Sequence, residues 1–185
     1  MSTLKIVVVS GNLGNPSKTL VLAEQIVEAI RQLAAIETEI HTLADLAPVF
    51  GPARNPSEIG AGGQQVLDSI ASADILVAVT PVYKASYTGL FKHLFDFLDP
   101  KALIDVPVIV GATGGGEKHA LIIEHQLRPL FGFFGAHTVA SGIYASEQYF
   151  DGKQFVETIL NERIDAAARQ AVTAARIRSQ QTSIN

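Results

Sequence analysis

The chain has 185 residues, of which 48% are hydrophobic and 17% charged, with no cysteine and a formal net charge of -4 at pH 7. That length suits a single domain, residues 1–185, whose core needs no covalent staples. The lack of cysteine excludes disulfides, thiolate nucleophiles, Cys-type zinc sites and iron–sulfur clusters. The charge balance argues against nucleic acid, which clustered excess Lys and Arg would mark. No apolar run reaches the ~18–20 residues of a membrane span, and the N-terminus enters a strand without a basic leader. The expectation is a cytoplasmic protein with no membrane partner.

Leu4–Val9 is an apolar, β-branched run, the pattern of a strand buried on both faces of a parallel sheet. It stops at Ser10-Gly11-Asn12-Leu13-Gly14-Asn15-Pro16-Ser17-Lys18-Thr19. Ser17 is placed as an N-cap, and Leu20, Ala23, Ile26, Val27, Ile30 and Leu33 beyond it keep helical spacing. Thr38–Leu43 alternates and reads as a strand near a sheet edge. Residues 44–63, with Pro48, Pro52, Pro56 and many glycines, read as a long irregular connection. Gln64–Ala73 is a predicted helix, and Asp74–Thr80 a second buried strand that Pro81 ends. Thr88–Leu98 has helical apolar spacing. Val106–Ala112 is a third buried strand running into Thr113-Gly114-Gly115-Gly116. Ala120–Phe134 is mostly helical, with Pro129 predicted to kink or divide it. Thr138–Tyr144 is the last strand, and Asp151–Ile177 a long C-terminal helix followed by a fraying tail, Ser179–Asn185.

This alternation gives an α/β doubly wound, five-stranded parallel sheet with helices on both faces. Ligands of such sheets sit beyond the carboxyl ends of the strands. Three loops that follow the buried strands converge there: Ser10–Thr19, Pro81–Gly89 and Thr113–His119.

The first loop opens a helix N-terminus, whose unpaired N–H groups and dipole favour an anion, most often phosphate. It adds the hydroxyls of Ser10, Ser17 and Thr19, the amides of Asn12 and Asn15, and Lys18. Neither G-x-G-x-x-G nor a P-loop is present, so hydroxyls and amides would hold a phosphate here. The plain alternative is an ordinary Ser-capped loop. The second loop carries Tyr83, Lys84 and Tyr87, which could line a polyol or a planar ring; packing alone is the alternative. The third lacks side chains over three residues, so backbone could approach a flat ligand closely; its alternative is a flexible turn. Together they describe a site for flavin mononucleotide (FMN).

Ser-Gly-x(5)-Ser-Lys-Thr, then Thr80-Pro81-Val82-Tyr83-Lys84-Ala85-Ser86-Tyr87-Thr88-Gly89, then Thr113-Gly114-Gly115-Gly116-x-x-His119 resemble the NAD(P)H-dependent FMN reductase family. The resemblance spans residue 5 to about 177 and is nearest to the flavin reductase component of two-component alkanesulfonate or methanesulfonate monooxygenases. It implies a flavodoxin-like strand order, 2-1-3-4-5, and reduction of free FMN by NADH or NADPH. Reduced FMN would pass to a monooxygenase that cleaves a carbon–sulfur bond. It implies that Ser10, Asn12, Ser17, Lys18 and Thr19 hold the phosphate, that Pro81, Val82, Tyr83 and Lys84 follow the ribityl chain and ring edge, and that Thr113, Gly114 and Gly115 face the isoalloxazine. It also implies a homo-oligomer, dimer or tetramer. The chain departs from the pattern twice. Relatives commonly carry Ser-Pro-Arg where this loop has Asn12-Leu13-Gly14, so an Arg contact to phosphate is missing. His125 stands where the alkanesulfonate reductases have a Tyr in an inserted π-helical turn at the tetramer interface.

Hydride transfer from nicotinamide to flavin needs no protein nucleophile; the protein orients two flat rings. His119 is the ionisable candidate contributor beside the rings, with a structural or solvated histidine as its alternative. His41, His93 and His137 lack metal-ligand spacing, so no metal is expected. Lys92, His93 and Asp96 fit a solvated helix face, and Phe131, Phe133 and Phe134 fit core or subunit contact. Alternatives to the flavin reductase are a quinone-, azo- or chromate-reducing relative that retains FMN, and a flavodoxin-like electron carrier.

Overall fold

The computed structural model describes residues 3–182. Its centre is built from three almost wholly buried strands: β1 (Leu4–Ser10), β3 (Ile75–Pro81) and β4 (Pro107–Gly114). Strand β2 (Ile36–Thr42) lies mostly exposed at one edge. All pairings are parallel, in the order β2-β1-β3-β4-β5 with β5 at His137–Thr138, so the expected 2-1-3-4-5 topology is present. Successive side chains of a strand point to opposite faces, and β1 shows the consequence. Val7 and Val9 join Phe50, Leu67, Phe91 and Phe131 on one face. Ile6 and Val8 join Leu22, Ile26, Ile164 and Ala168 on the other.

Helices cover both faces. Helix α1 (Lys18–Arg31) and helix α6 (Thr158–Thr182) supply the second of these clusters. Helices α2 (Leu43–Phe50), α3 (Gly60–Ala71), α4 (Gly89–Asp96) and α5 (Arg128–Phe133) supply the first. Among the described residues no helix is long and apolar enough to cross a membrane.

Four local expectations need correction. Residues 44–63 are not a wholly irregular connection, because α2 occupies its start. Thr42 caps that helix, accepting from the Asp45 amide at 3.2 Å, and Leu43 and Phe50 bury its apolar side despite Pro48. The last strand is two pieces, β5 (His137–Thr138) and β6 (Ile143–Ser146), both paired with β4. Between them the Arg128 guanidinium takes the carbonyls of Val139 and Ala140 at 2.8 and 2.7 Å, which turns them away from a ladder. Helix α6 begins seven residues later than expected, at Thr158. The Asp151 carboxylate ties the Lys153 and Gln154 amides into a turn, and the Glu157 carboxylate caps the amides of Ile159 and Leu160. Ser179 to Thr182 continue α6 rather than fray; the rest of the expected tail, 183–185, lies outside the described residues.

The expected division at Pro129 is present. A π-helical turn, Ile123–Leu127, precedes α5, and Pro129 sits in the first turn of α5, where no amide proton is needed. His125 is exposed on that turn.

Candidate functional site

At the carboxyl end of β1 the chain must pass very close to β3. A Cβ on Gly11 would lie 2.7 Å from Thr80 Oγ1 and 3.0 Å from Thr80 Cα, so only glycine fits. The Gly11 carbonyl accepts from Thr88 Oγ1 at 3.3 Å, which fastens the first loop to the second. Inside the loop, buried Ser10 donates from Oγ to Asn12 Oδ1 at 2.7 Å, and Asn12 Nδ2 donates to the Gly14 carbonyl at 3.1 Å. Ser10 therefore shapes the loop through Asn12.

The loop ends at Ser17, whose side chain accepts from the Leu20 amide at 3.2 Å and caps α1. The amides of Lys18 and Thr19 belong to the first turn, where a helix offers no carbonyl partner. A cleft of about 400 Å³ opens in front of them. Of the residues singled out in the sequence, Asn12, Ser17, Lys18, Thr19, Pro81, Tyr83 and Thr113 line it. Ser10, Val82, Lys84, Gly114 and Gly115 do not. The three loops thus meet at one cleft. Thr19 Oγ1 and Thr113 Oγ1 are 2.7 Å apart at its back, joining the first loop to the third.

The middle loop is a tight turn in which the backbones of Tyr83 and Ser86 pair at 2.9 and 3.2 Å. Lys84 (φ 50°) and Ala85 (φ 71°) occupy its two central positions in the left-handed region. Residues other than Gly, Asn and Asp rarely adopt that conformation, so the turn stores strain at the rim of the cleft. Of the two tyrosines, Tyr83 is exposed over the cleft. Tyr87 instead packs on Phe91, centroids 5.9 Å apart. Ser86 donates to Gln126 Oε1 of the π-helical turn at 3.1 Å. On the helix that follows, Lys92 pairs with Asp96 on the expected solvated face, but His93 is half-buried. Its Nε2 lies 2.9 Å from the Phe50 carbonyl and 3.0 Å from that of Ala53.

The glycine segment is held from outside by Tyr144 on β6. The Tyr144 hydroxyl donates to the Gly116 carbonyl at 2.6 Å, and a Cβ on Gly114 would lie 2.5 Å from that hydroxyl. Burial pushes the Tyr144 phenol above its usual value, so it stays a donor. Gly115 and Gly116 have open space where a side chain would be. They form a bare shelf next to the cleft. His119 lies half-buried in the helical turn after that shelf and does not line the cleft.

Two contributors carry no motif in the sequence. Tyr144 reads as the end of a strand, and its role appears only once β6 lies beside β4. Glu147 follows β6 and lines the cleft, where its Oε2 lies 2.7 Å from Lys18 Nζ. Lys18 also sits 5.7 Å above the Phe150 ring.

The donor set fits a phosphate monoester: first-turn amides, the hydroxyls of Ser17 and Thr19, and one ammonium, around a space with a flat shelf beside it. Comparisons with known proteins place the chain in a family. The profile of the family described as NADPH-dependent FMN reductase matches residues 4–151. The FMN reductase (NADPH) of Pseudomonas aeruginosa is 47% identical over 170 residues, covering 92% of this chain and 91% of that protein. The NADH-dependent FMN reductase SfnF of Pseudomonas fluorescens is 45% identical over 168 residues, covering 91% and 90%. Among solved structures, an oxidoreductase from Corynebacterium diphtheriae superposes with a TM-score of 0.85 at 32% identity, covering 94% of this chain and 97% of that one. The apo form of the NADH:FMN oxidoreductase EmoB gives 0.82 at 28% identity, covering 92% and 90%. The chain belongs to the NADPH-dependent FMN reductase family.

Proposed function

We propose that the cleft at the N-terminus of α1 receives the phosphate of FMN, and that this flavin enters and leaves as a substrate. The chain is an enzyme, an NAD(P)H-dependent FMN reductase. The observation that carries the site is the junction of that cleft, through Thr19 and Thr113, with the bare shelf at Gly115 and Gly116.

Each residue has a part in this reading. The amides and side chains of Ser17, Lys18 and Thr19 hold the phosphate, and Asn12, positioned by Ser10, completes the rim. Pro81, Val82, Tyr83 and Lys84 follow the ribityl chain and ring edge. Thr113, Gly114 and Gly115 lie under the ring, with Tyr144 keeping the shelf in place and His119 a candidate contributor at its far end. When bound, the flavin supplies the redox chemistry, taking hydride from the nicotinamide. The protein's part is to hold two flat rings against each other. Family members with either NADH or NADPH in their names are similar to this chain, and either nicotinamide is a substrate to test.

Reduced FMN is proposed to pass to a monooxygenase that cleaves a carbon–sulfur bond, as the loop motifs imply. We take residues 1–185 as one reductase domain, since α6, beyond the matched stretch, packs on the same sheet. Self-association is proposed through the face around the π-helical turn. There Phe133 is 70% and Leu121 63% exposed, beside a groove of about 510 Å³ that includes His125, Pro129 and Phe133.

The test is steady-state oxidation of NADH and NADPH by purified protein. A colourless protein whose rate rises with added FMN supports the proposal. A yellow protein that ignores added FMN but turns over a quinone contradicts it and favours a reductase that retains its flavin.

A further inference from the structure

The cleft contains a group that does not belong in a plain anion site. Glu147 is a carboxylate, yet it lines the same cleft as the N-terminal amides of α1 and takes its ammonium group, Lys18 Nζ, at 2.7 Å. The pair is not a by-product of helical spacing, since its members are 129 residues apart in sequence. Nor does it matter much to the fold. The two side chains are 41% and 48% exposed, and ion pairs that open to solvent stabilise little. Its position is nonetheless well determined. Glu147 directly follows Ser146, which is in register with Gly114 just before the shelf, and Phe150 of the same segment lies under the Lys18 ammonium. The segment therefore places both the lysine and its counter-charge.

We propose that Glu147 is a built-in competitor for the flavin phosphate, occupying Lys18 in the flavin-free protein and repelling the phosphate that enters. The inference rests on the cleft being the phosphate site. A phosphate must either draw Lys18 away from Glu147 or share it, and a negative charge nearby works against it in both cases. The result is a site that selects flavins by their phosphate yet holds them weakly, which suits a product that has to leave. The effect is confined to the charged end of the ligand. Riboflavin, which lacks the phosphate, is indifferent to Glu147.

The experiment is a fluorescence titration of FMN and of riboflavin into the wild-type protein, Glu147→Gln and Lys18→Gln, at low and high salt, with circular dichroism to check folding. Glu147→Gln is expected to tighten FMN on the order of fivefold and leave riboflavin unchanged, with the gain shrinking as salt screens the charge. Lys18→Gln is expected to weaken FMN alone. If Glu147→Gln leaves FMN unchanged, weakens it, or tightens both flavins equally while Lys18→Gln still weakens FMN, the competitor role is overturned and the phosphate site stands. If Lys18→Gln leaves the FMN-to-riboflavin preference as it was, the phosphate site itself is wrong and the inference goes with it. Glu147→Ala provides a second variant with the same expected signs.

Discussion

Thr19 and Thr113 stand with their hydroxyl oxygens 2.7 Å apart, both side chains buried, although 94 residues separate them in sequence. This bond joins the start of α1 to the end of β4 and thereby sets the distance between the proposed phosphate cleft and the glycine shelf. A buried hydroxyl left without a partner costs about 1–3 kcal/mol, whereas replacing both partners by apolar groups of similar shape is nearly neutral. Thr19→Val alone should therefore lower unfolding stability by about that amount. Thr19→Val with Thr113→Val should recover most of it. Urea unfolding of the single and double variants checks this; additive losses would show that the pair does not act as one unit.

The two glycines of the first loop should differ sharply. Alanine at Gly11 would press its Cβ against the side chain and backbone of Thr80, whereas alanine at Gly14 meets nothing within 4 Å. Overpacking of this kind costs about 1–3 kcal/mol. Gly11→Ala should lower the melting midpoint clearly, and Gly14→Ala should leave it almost unchanged in the same thermal scan.

Ser17 has two separable duties. Its oxygen accepts from the Leu20 amide, and its proton remains free to donate to a phosphate. Ser17→Ala should destabilise the protein by about 0.5–2 kcal/mol through the lost cap, and Ser17→Gly by only a few tenths. Both should weaken FMN by about 1.5–3 kcal/mol, the worth of a hydrogen bond to a charged group. Denaturation and FMN titration together separate the roles. An unchanged FMN dissociation constant in Ser17→Gly would remove Ser17 from the site.

On the edge strand β2, next to β1, His41 offers a pH signature that owes nothing to flavin. Its Nε2 lies 3.2 Å from Glu39 Oε1 and 3.3 Å from Ser69 Oγ, on the edge strand. Burial pushes its imidazole below the usual 6.5, against the opposing pull of Glu39. The folded state thus favours the neutral ring. The stability this gives is fully present above pH 6.5 and is lost as the pH falls through the lowered value. Glu39 is held below 4.5, chiefly by the Ser69 hydrogen bond, so its contribution is lost only in a more acid window. Unfolding free energy measured downward from neutral pH should decline, and His41→Asn should flatten the first part of that decline.

Much of this architecture was legible because the parallel strands are continuous apolar runs and the polar loops interrupt them abruptly. Ser17 announced the start of α1, and Pro129 the start of α5. Other features were masked by local composition. The prolines and glycines of 44–63 obscured a capping signal, Thr42-Leu43-Ala44-Asp45, which in the structure starts α2. The break between β5 and β6 depends on Arg128 reaching two carbonyls, and the hydrogen bonding of His93 depends on where Phe50 and Ala53 present theirs. Tyr144 and Glu147 belong to the site only through the pairing of β6 with β4. Long-range placement of this kind has no local periodicity to reveal it.

The central claim is that FMN lies with its phosphate at the N-terminus of α1 and its ring over the glycine shelf. A crystal structure of the protein with FMN tests it most directly. The account predicts phosphate density within hydrogen-bonding distance of the Ser17, Lys18 and Thr19 groups, and a ring against Gly114 and Gly115. Flavin seated elsewhere, for instance in the apolar groove beside Tyr87 and Phe133, would contradict it.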